Sequence, residues 1–350
     1  MIFNIKKFAR KLLLDLKPYK SAREEYVRDN KNMVLLDANE SPYKSLTNRY
    51  PDPLQIELKE KISKWKRISI NKIYLSNGSD EFISQSILGF CEPGLDHIII
   101  TSPTFLMYKV SANLHGVEVK DIPLLNDFEL NVSEIIKKSN NNSKILFIAR
   151  PNNPTGNSYQ EKDLKNILEN FSGLVIVDEA YIEYSKQKSF INYLNKYPNL
   201  IVCQTFSKAQ GMAGARVGMA FAHEEIISFL NQLKAPYNIN TLSQKEAISK
   251  IKSQNKVLLK TRAILKERDV LEYKMKKIHF IKKIYTSDAN FFLLKVDDSS
   301  KRYKQLIDKG IVVRNSSKNL NCSNTLRVTV GTSKENIMLI KAMKEIDKLQ

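Results

Sequence analysis

Short apolar runs alternate with helical stretches along most of this chain, and that alternation constrains its fold more than any other feature. The runs are Lys72–Leu75, Asp96–Thr101, Val117–Ile122, Lys144–Ala149, Leu174–Asp178, Leu200–Gln204 and Val217–Phe221. They are short and rich in isoleucine, valine and leucine, which suits strands buried on both faces. Amphipathic stretches separate them, among them Leu54–Trp65, Gln160–Asn170 and a segment carrying Phe82, Ile83, Ile87 and Leu88. Strand and helix in alternation predict an α/β domain with a mostly parallel, seven-stranded sheet covered on both faces. In such sheets ligands bind beyond the carboxyl ends of the strands. Asn153, Asp178, Tyr181, Ser207 and Lys208 all fall at those ends.

The rest of the chain fits around that sheet. Residues 1–36 read as an N-terminal arm and part of a smaller domain, 37–240 as a large domain, and 241–350 as a connecting helix and a small α+β domain. The segment Glu224–Lys277 reads as helix with one break at Ala235-Pro-Tyr-Asn238. The tail predicts strands Asn290–Lys295, Ile311–Arg314 and Thr325–Val330, and helices Ser299–Lys309 and Ser333–Lys348. Upstream, Lys17–Arg23 predicts an extended stretch leading to a helix start. Leu35–Pro42 predicts a strand ending in a polar turn, and Asn48–Pro53 a proline-fixed loop. Ile2, Ile5, Phe8, Ala9, Leu12, Leu13 and Leu16 stand near helical spacing, which predicts an amphipathic arm packed on a neighbour.

Composition removes several function classes. A hydrophobic fraction of 42% with 9% aromatic residues is globular. No run of 18 apolar residues offers a membrane span, and Leu12–Leu14 is too short for a signal-peptide core. Three scattered cysteines without a Cys-x-x-Cys pair point to a reducing, cytoplasmic setting. Four histidines without ligand spacing give no metal site. The net charge of +19 comes from lysines scattered among glutamates, so it favours small anionic substrates over nucleic acid.

The chemistry centres on Lys208. Between Lys196 and Arg216 it is the only ionisable side chain apart from Tyr197 and Cys203. Apolar surroundings lower a lysine pKa by disfavouring the ammonium form, and a neutral amine is what a Schiff base with an aldehyde cofactor requires. Asp178 follows three apolar residues at a strand end. A buried carboxylate there needs a cation, and a protonated pyridine nitrogen would serve. Asn153 and Tyr181 are placed to bond a ring hydroxyl. Donors for a phosphate come from the helix start Gly78-Ser79-Asp80, with Ser79 or Asp80 as the cap, from Thr205 and Ser207, and from Arg216. Phe105 or Tyr108 is the candidate for stacking on the ring. Each has a blander reading: a buried lysine on a carbonyl, a capping aspartate, ordinary aromatic packing.

Five motifs taken in order narrow that choice. Asn77-Gly-Ser-Asp-Glu81, Ser102-Pro-Thr-Phe105, Pro151-Asn-Asn-Pro-Thr-Gly156, Val177-Asp-Glu-Ala-Tyr181 and Thr205-Phe-Ser-Lys208 with Arg216 resemble the signature of fold-type I pyridoxal-phosphate aminotransferases. Pro18-Tyr19, Asp37-Ala-Asn-Glu40, Asn48-Arg-Tyr-Pro51, Ala235-Pro-Tyr237 and Leu326-Arg-Val-Thr-Val-Gly331 resemble its histidinol-phosphate aminotransferase branch. The resemblance implies pyridoxal 5'-phosphate as cofactor, Lys208 as the Schiff-base lysine and proton shuttle, and Asp178 on the pyridine nitrogen. It implies Tyr50 reaching the phosphate across a homodimer interface and Arg327 on the carboxylate of L-glutamate. Tyr19, Asn39 and Arg314 would face a phosphorylated substrate. The leading acceptor is imidazole-acetol phosphate. Dihydroxyacetone phosphate is the alternative, and phosphoamino-acid decarboxylation on the same fold is a third possibility. Departures from the branch include Gln210 where phenylalanine is usual and Phe105 where tyrosine is common.

Overall fold

The computed structural model of the chain describes residues 4–17 and 34–348. Ile2, Tyr19 and the predicted helix start before Arg23 lie outside the described residues.

The large domain is built on seven strands: β1 (Ile73–Ser76), β2 (His97–Ile100), β3 (Glu118–Asp121), β4 (Ser143–Ala149), β5 (Leu174–Asp178), β6 (Leu200–Thr205) and β7 (Gly218–Phe221). Their spatial order is β1-β7-β6-β5-β4-β2-β3. The pairs from β3 through β6 are parallel, whereas β7 runs antiparallel to both β1 and β6. Side-chain alternation explains the uninterrupted apolar runs. Leu146, Ile148, Val175, Val177 and Val202 enter one core, and Ile145, Phe147, Leu174, Ile176 and Ile201 enter the core on the opposite face. Each such side chain, fully buried, contributes about 1.5–3 kcal/mol. Helices complete both layers. Glu161–Asn170, for example, buries Leu164, Ile167 and Leu168 and starts with Glu161 and Asp163, whose charge suits a helix N-terminus.

The predicted amphipathic arm is not one continuous helix. It forms a 3₁₀ turn, Ile5–Lys7, and a short helix, Lys11–Leu14. Ile5, Phe8, Ala9 and Leu13 pack on the chain's own large-domain core, and Arg10 pairs with Glu92 at 3.1 Å. Leu12 and Leu16 stay exposed. Leu35–Pro42 forms no strand.

Beyond residue 221 the chain makes helices Glu224–Leu233, Thr241–Lys252 and Gln254–Met275. The predicted break near Pro236 is present, and a second falls at Ser253, whose φ of −107° and ψ of 30° interrupt the helix. The small domain holds β8 (Ile281–Ile284), β9 (Phe291–Val296), β10 (Arg314–Asn315) and β11 (Thr325–Thr329) in the antiparallel order β10-β11-β9-β8. Helices Ser299–Asp308 and Ser333–Asp347 cover it, the latter started by a capping box of Thr332 and Glu335. Strand β8 was not legible, since Ile-Lys-Lys-Ile is brief and half polar. Only Arg314 of the predicted strand Ile311–Arg314 is paired.

Candidate active site

A cavity of about 430 Å³ opens beyond the carboxyl ends of β4, β5 and β6. Those ends are level, because Ala149 pairs with Asp178 and Asp178 with Cys203 across the three strands. The walls come from both domains: Asn153, Asp178, Tyr181 and Lys208 on one side, Arg314 and Arg327 on the other.

Lys208 is the one lysine among the lining residues. Its side chain opens into the cavity, not into the core as the sequence suggests. Partial enclosure still pushes its pKa down, Arg327 and Arg216 push the same way, and Asp178 opposes them. Its Nζ sits 5.4 Å from the centre of the Tyr181 ring.

Asp178 ends β5 and is buried. Its carboxylate accepts from the Tyr108 hydroxyl at 2.7 Å and from the Ala180 backbone N–H at 3.0 Å. Burial raises its pKa, and these two donors and the Lys208 ammonium offset the rise in part. Tyr108 is thereby removed from the list of stacking candidates. It is wholly buried, stacks on Phe147 at 4.6 Å and spends its hydroxyl on Asp178. Phe105 remains on the cavity wall, edge-on to Tyr108. The residue after Asp178, Glu179, turns away and anchors the strand end. It accepts from Ser189 Oγ, Phe190 N–H and Gln204 Nε2.

Tyr181 packs edge-on against Phe291 of β9, and burial pushes its phenol up to about 12. It is therefore a hydrogen-bond donor at neutral pH. Asn153 presents its Oδ1 to Arg327.

The opposite end of the cavity is cationic and hydroxylic. The loop between β6 and β7 carries Ser207 and Arg216, and Thr205 Oγ1 donates to Ser207 Oγ at 3.0 Å. Arg216 donates to Asp80 at 3.0 Å, with Ser207 Oγ 3.5 Å from its other amino group. Asp80 thus acts as an acceptor that orients Arg216. The helix Gly78–Phe90 is capped by Asn77, without a side-chain bond, so neither Ser79 nor Asp80 is the cap. Gly78 has a φ of +75°, and a Cβ there would run into the Arg216 guanidinium. Only glycine lets that arginine lie against the helix start, where free N–H groups favour an anion.

From the small domain, Arg314 and Arg327 are direct cross-strand partners on β10 and β11. Like charges facing each other are destabilising. Burial, followed by Arg314, lowers the Arg327 pKa, and its guanidinium lies 5.4 Å from the Phe291 ring. Two cations held this way make a receptor for carboxylate or phosphate. Sequence reasoning missed Phe291, Ser316 and Asn319 near this end. The last two line the cavity from an irregular loop that has no recognisable pattern.

Tyr50 and Asn39 do not reach this cavity. They line a separate surface hollow of about 290 Å³, with Thr241. Tyr50 is half exposed and stacks on Tyr237 at 4.5 Å. Among the described residues, no cluster of histidine, cysteine or carboxylate side chains is suited to a metal ion, and no helix is long and apolar enough to cross a membrane.

Comparison with known proteins agrees with this geometry. The sequence model of the family described as aminotransferase class I and II matches residues 27–343. A histidinol-phosphate aminotransferase of Christiangramia forsetii is 47% identical over 345 residues, covering 99% of either chain. One from Flavobacterium psychrophilum is 46% identical, covering 98% of this chain and 99% of that one. The crystal structure of the histidinol-phosphate aminotransferase from Clostridium acetobutylicum superposes with a TM-score of 0.80 at 26% identity, over 86% of this chain and 91% of that chain. A family match across most of the chain and relatives of this identity over nearly its whole length leave one assignment: the chain belongs to the aminotransferase class I and II family.

Proposed function

We propose that this chain is a pyridoxal-phosphate-dependent aminotransferase that moves the amino group of L-glutamate to imidazole-acetol phosphate, giving histidinol phosphate. The observation that carries this is the meeting of Lys208, Asp178 and Arg216 on one cavity, with Arg314 and Arg327 closing its far side. The near-full-length likeness to histidinol-phosphate aminotransferases supports the choice of substrate.

The residues fit the cofactor end to end. Ser207, Thr205, Arg216 and the helix start at Gly78 and Ser79 would hold its phosphate, in the cradle that a Cβ at Gly78 would fill. Asp178 would hold the ring nitrogen, Asn153 and Tyr181 the ring oxygen, and Phe105 a face of the ring. When bound, the cofactor supplies an aldehyde for covalent attachment of amines and a ring that withdraws electrons from the substrate carbon. Asp178 would supply the negative charge opposite a protonated ring nitrogen, and its burial would strengthen that pairing. Lys208 Nζ, whose pKa partial enclosure lowers, would accept and return the proton at the substrate carbon. Arg327 takes the glutamate carboxylate as a two-pronged donor. Arg314 beside it, on the same cavity wall, would face the phosphate of the second substrate.

The working unit is a homodimer. Val34, Leu36, Tyr43 and Leu46 are largely exposed along one stretch that also carries Tyr50. Apolar surface of this kind suits a subunit contact, and Tyr50 would reach the partner's phosphate cradle from it. All three cysteines are buried free thiols, which fits a cytoplasmic enzyme.

The test is a half-reaction. Glutamate should bleach the yellow, cofactor-loaded protein, and imidazole-acetol phosphate should restore the colour. Lys208→Ala should lose the characteristic absorbance and at least about a hundredfold in rate. Restoration by dihydroxyacetone phosphate alone would replace the acceptor, and carbon dioxide release from a phosphorylated amino acid would replace the reaction.

A further inference from the structure

Gln210 stands two residues beyond Lys208 and is 3% exposed. It does not line the cavity, so it touches neither cofactor nor substrate there. Its side chain turns the other way and meets Gln254. Gln254 Nε2 donates to Gln210 Oε1 at 2.9 Å, and Gln210 Nε2 lies 3.5 Å from Gln254 Oε1. Gln254 also donates to the Lys250 carbonyl, which fixes its amide in place at the Ser253 break.

The position of Gln254 gives the pair its meaning. It is the first residue of the helix Gln254–Met275. The far end of that helix, through Leu271 and Met275, is built into the small-domain core together with Leu326 and Val328, the residues on either side of Arg327. Midway along, Ile264 and Leu265 pack with Ala209, Tyr181 and Phe291. On the other side of the pair, the Gly211 N–H donates to the Lys208 carbonyl at 2.9 Å and closes the turn that Gln210 occupies. One helix therefore touches the turn holding the reactive amine at one end and the sheet holding the carboxylate-binding arginine at the other.

We infer that Gln210 and Gln254 form a positioning latch that sets the Lys208 turn relative to the small-domain arginines. Apolar packing at Ala209 permits sliding, whereas a paired amide is directional. The buried Gln210 amide costs stability unless paired, Gln254 is half-buried, and an apolar pair of similar size would be tolerated. The polar pair therefore serves geometry more than stability. The consequence for catalysis rests on the aminotransferase reading; the latch itself does not.

The experiment uses Gln254→Leu, the double variant Gln210→Leu/Gln254→Leu, and Gln254→Glu, which keeps an acceptor for the Gln210 amide. Hydrogen exchange of the peptide spanning residues 208–212 is measured first on cofactor-free protein. Exchange in Gln254→Leu should quicken about fivefold, as expected for one lost hydrogen bond. In the loaded enzyme, kcat and the pH midpoint of the Lys208-dependent absorbance should both shift in Gln254→Leu. They should stay shifted in the double variant even where its thermal midpoint recovers, and return toward wild type in Gln254→Glu. Unchanged exchange in the 208–212 peptide overturns the latch. So does a double variant that regains kcat together with stability, because the pair would then be packing alone. A wild type that takes up no cofactor sinks the aminotransferase reading, and the exchange result still decides the latch.

Discussion

Asp178 shows how far single residues were readable. Its place after Leu174-Val-Ile-Val177 announced a buried carboxylate at a strand end, and it is one. Its principal support, the Tyr108 hydroxyl, was not readable, because the two stand 70 positions apart and nothing local links them. Phe105 and Tyr108 looked interchangeable in sequence; only packing separates the wall from the buttress. The raised pKa of Asp178 has a stability consequence whose sign is fixed. A carboxyl whose pKa is higher folded than unfolded contributes fully below the unfolded value, and that contribution is lost as pH rises toward the folded value. At neutral pH, above the unfolded value, the buried carboxyl therefore costs the cofactor-free protein stability. Asp178→Asn should raise its thermal midpoint at pH 7 by about 2 °C while cofactor affinity and turnover collapse. A midpoint that falls in calorimetry of the apo-protein would refute the desolvation account.

At the level of elements, the loop between β6 and β7 holds both Lys208 and Arg216 because β7 runs back against β6. The amine and the guanidinium leave and re-enter the sheet at the same end. The helix start at Gly78 meets that loop, and its glycine permits the contact. Gly78→Ala combines a positive φ, worth about 1–2 kcal/mol of strain in a non-glycine residue, with displacement of Arg216. Cofactor Kd, measured by fluorescence titration, should rise at least about tenfold, the effect of a lost charge-assisted bond. Gly94→Ala is the control: its φ is +72° but nothing lies within 4 Å of the new methyl. It should cost stability and leave Kd alone; equal effects of the two would remove Arg216 from the argument. The central strands of the large sheet, β4 to β6, were plain in the sequence, since burial on both faces writes itself as an uninterrupted run. The small-domain strands were harder. Ile281–Ile284 and Arg314–Asn315 are held by their neighbours, not by their own pattern.

Across the whole molecule, the cavity exists only because two domains face each other, and in the proposed dimer the Tyr50 surface would meet a second subunit. If Tyr50 serves a partner's site, a subunit lacking Tyr50 and a subunit lacking Lys208 can complement each other. Random mixing makes half the dimers hybrid, each with one complete site of two, so Tyr50→Ala mixed with Lys208→Ala should recover up to about a quarter of wild-type activity. No recovery after subunit exchange, checked by sedimentation, would place Tyr50 in its own subunit's surface alone. The strand order holds one more consequence, for synthesis of the chain on the ribosome. β7 is the last strand of the large sheet to be made, yet it sits between β1 and β6. Until Phe221 has emerged, β1 has no sheet neighbour, and β6, once made, adds a second open edge for the short stretch that separates it from β7. The strand that brings Arg216 home is also the one that ends this exposure, and the phosphate cradle and a closed sheet are completed in the same moment.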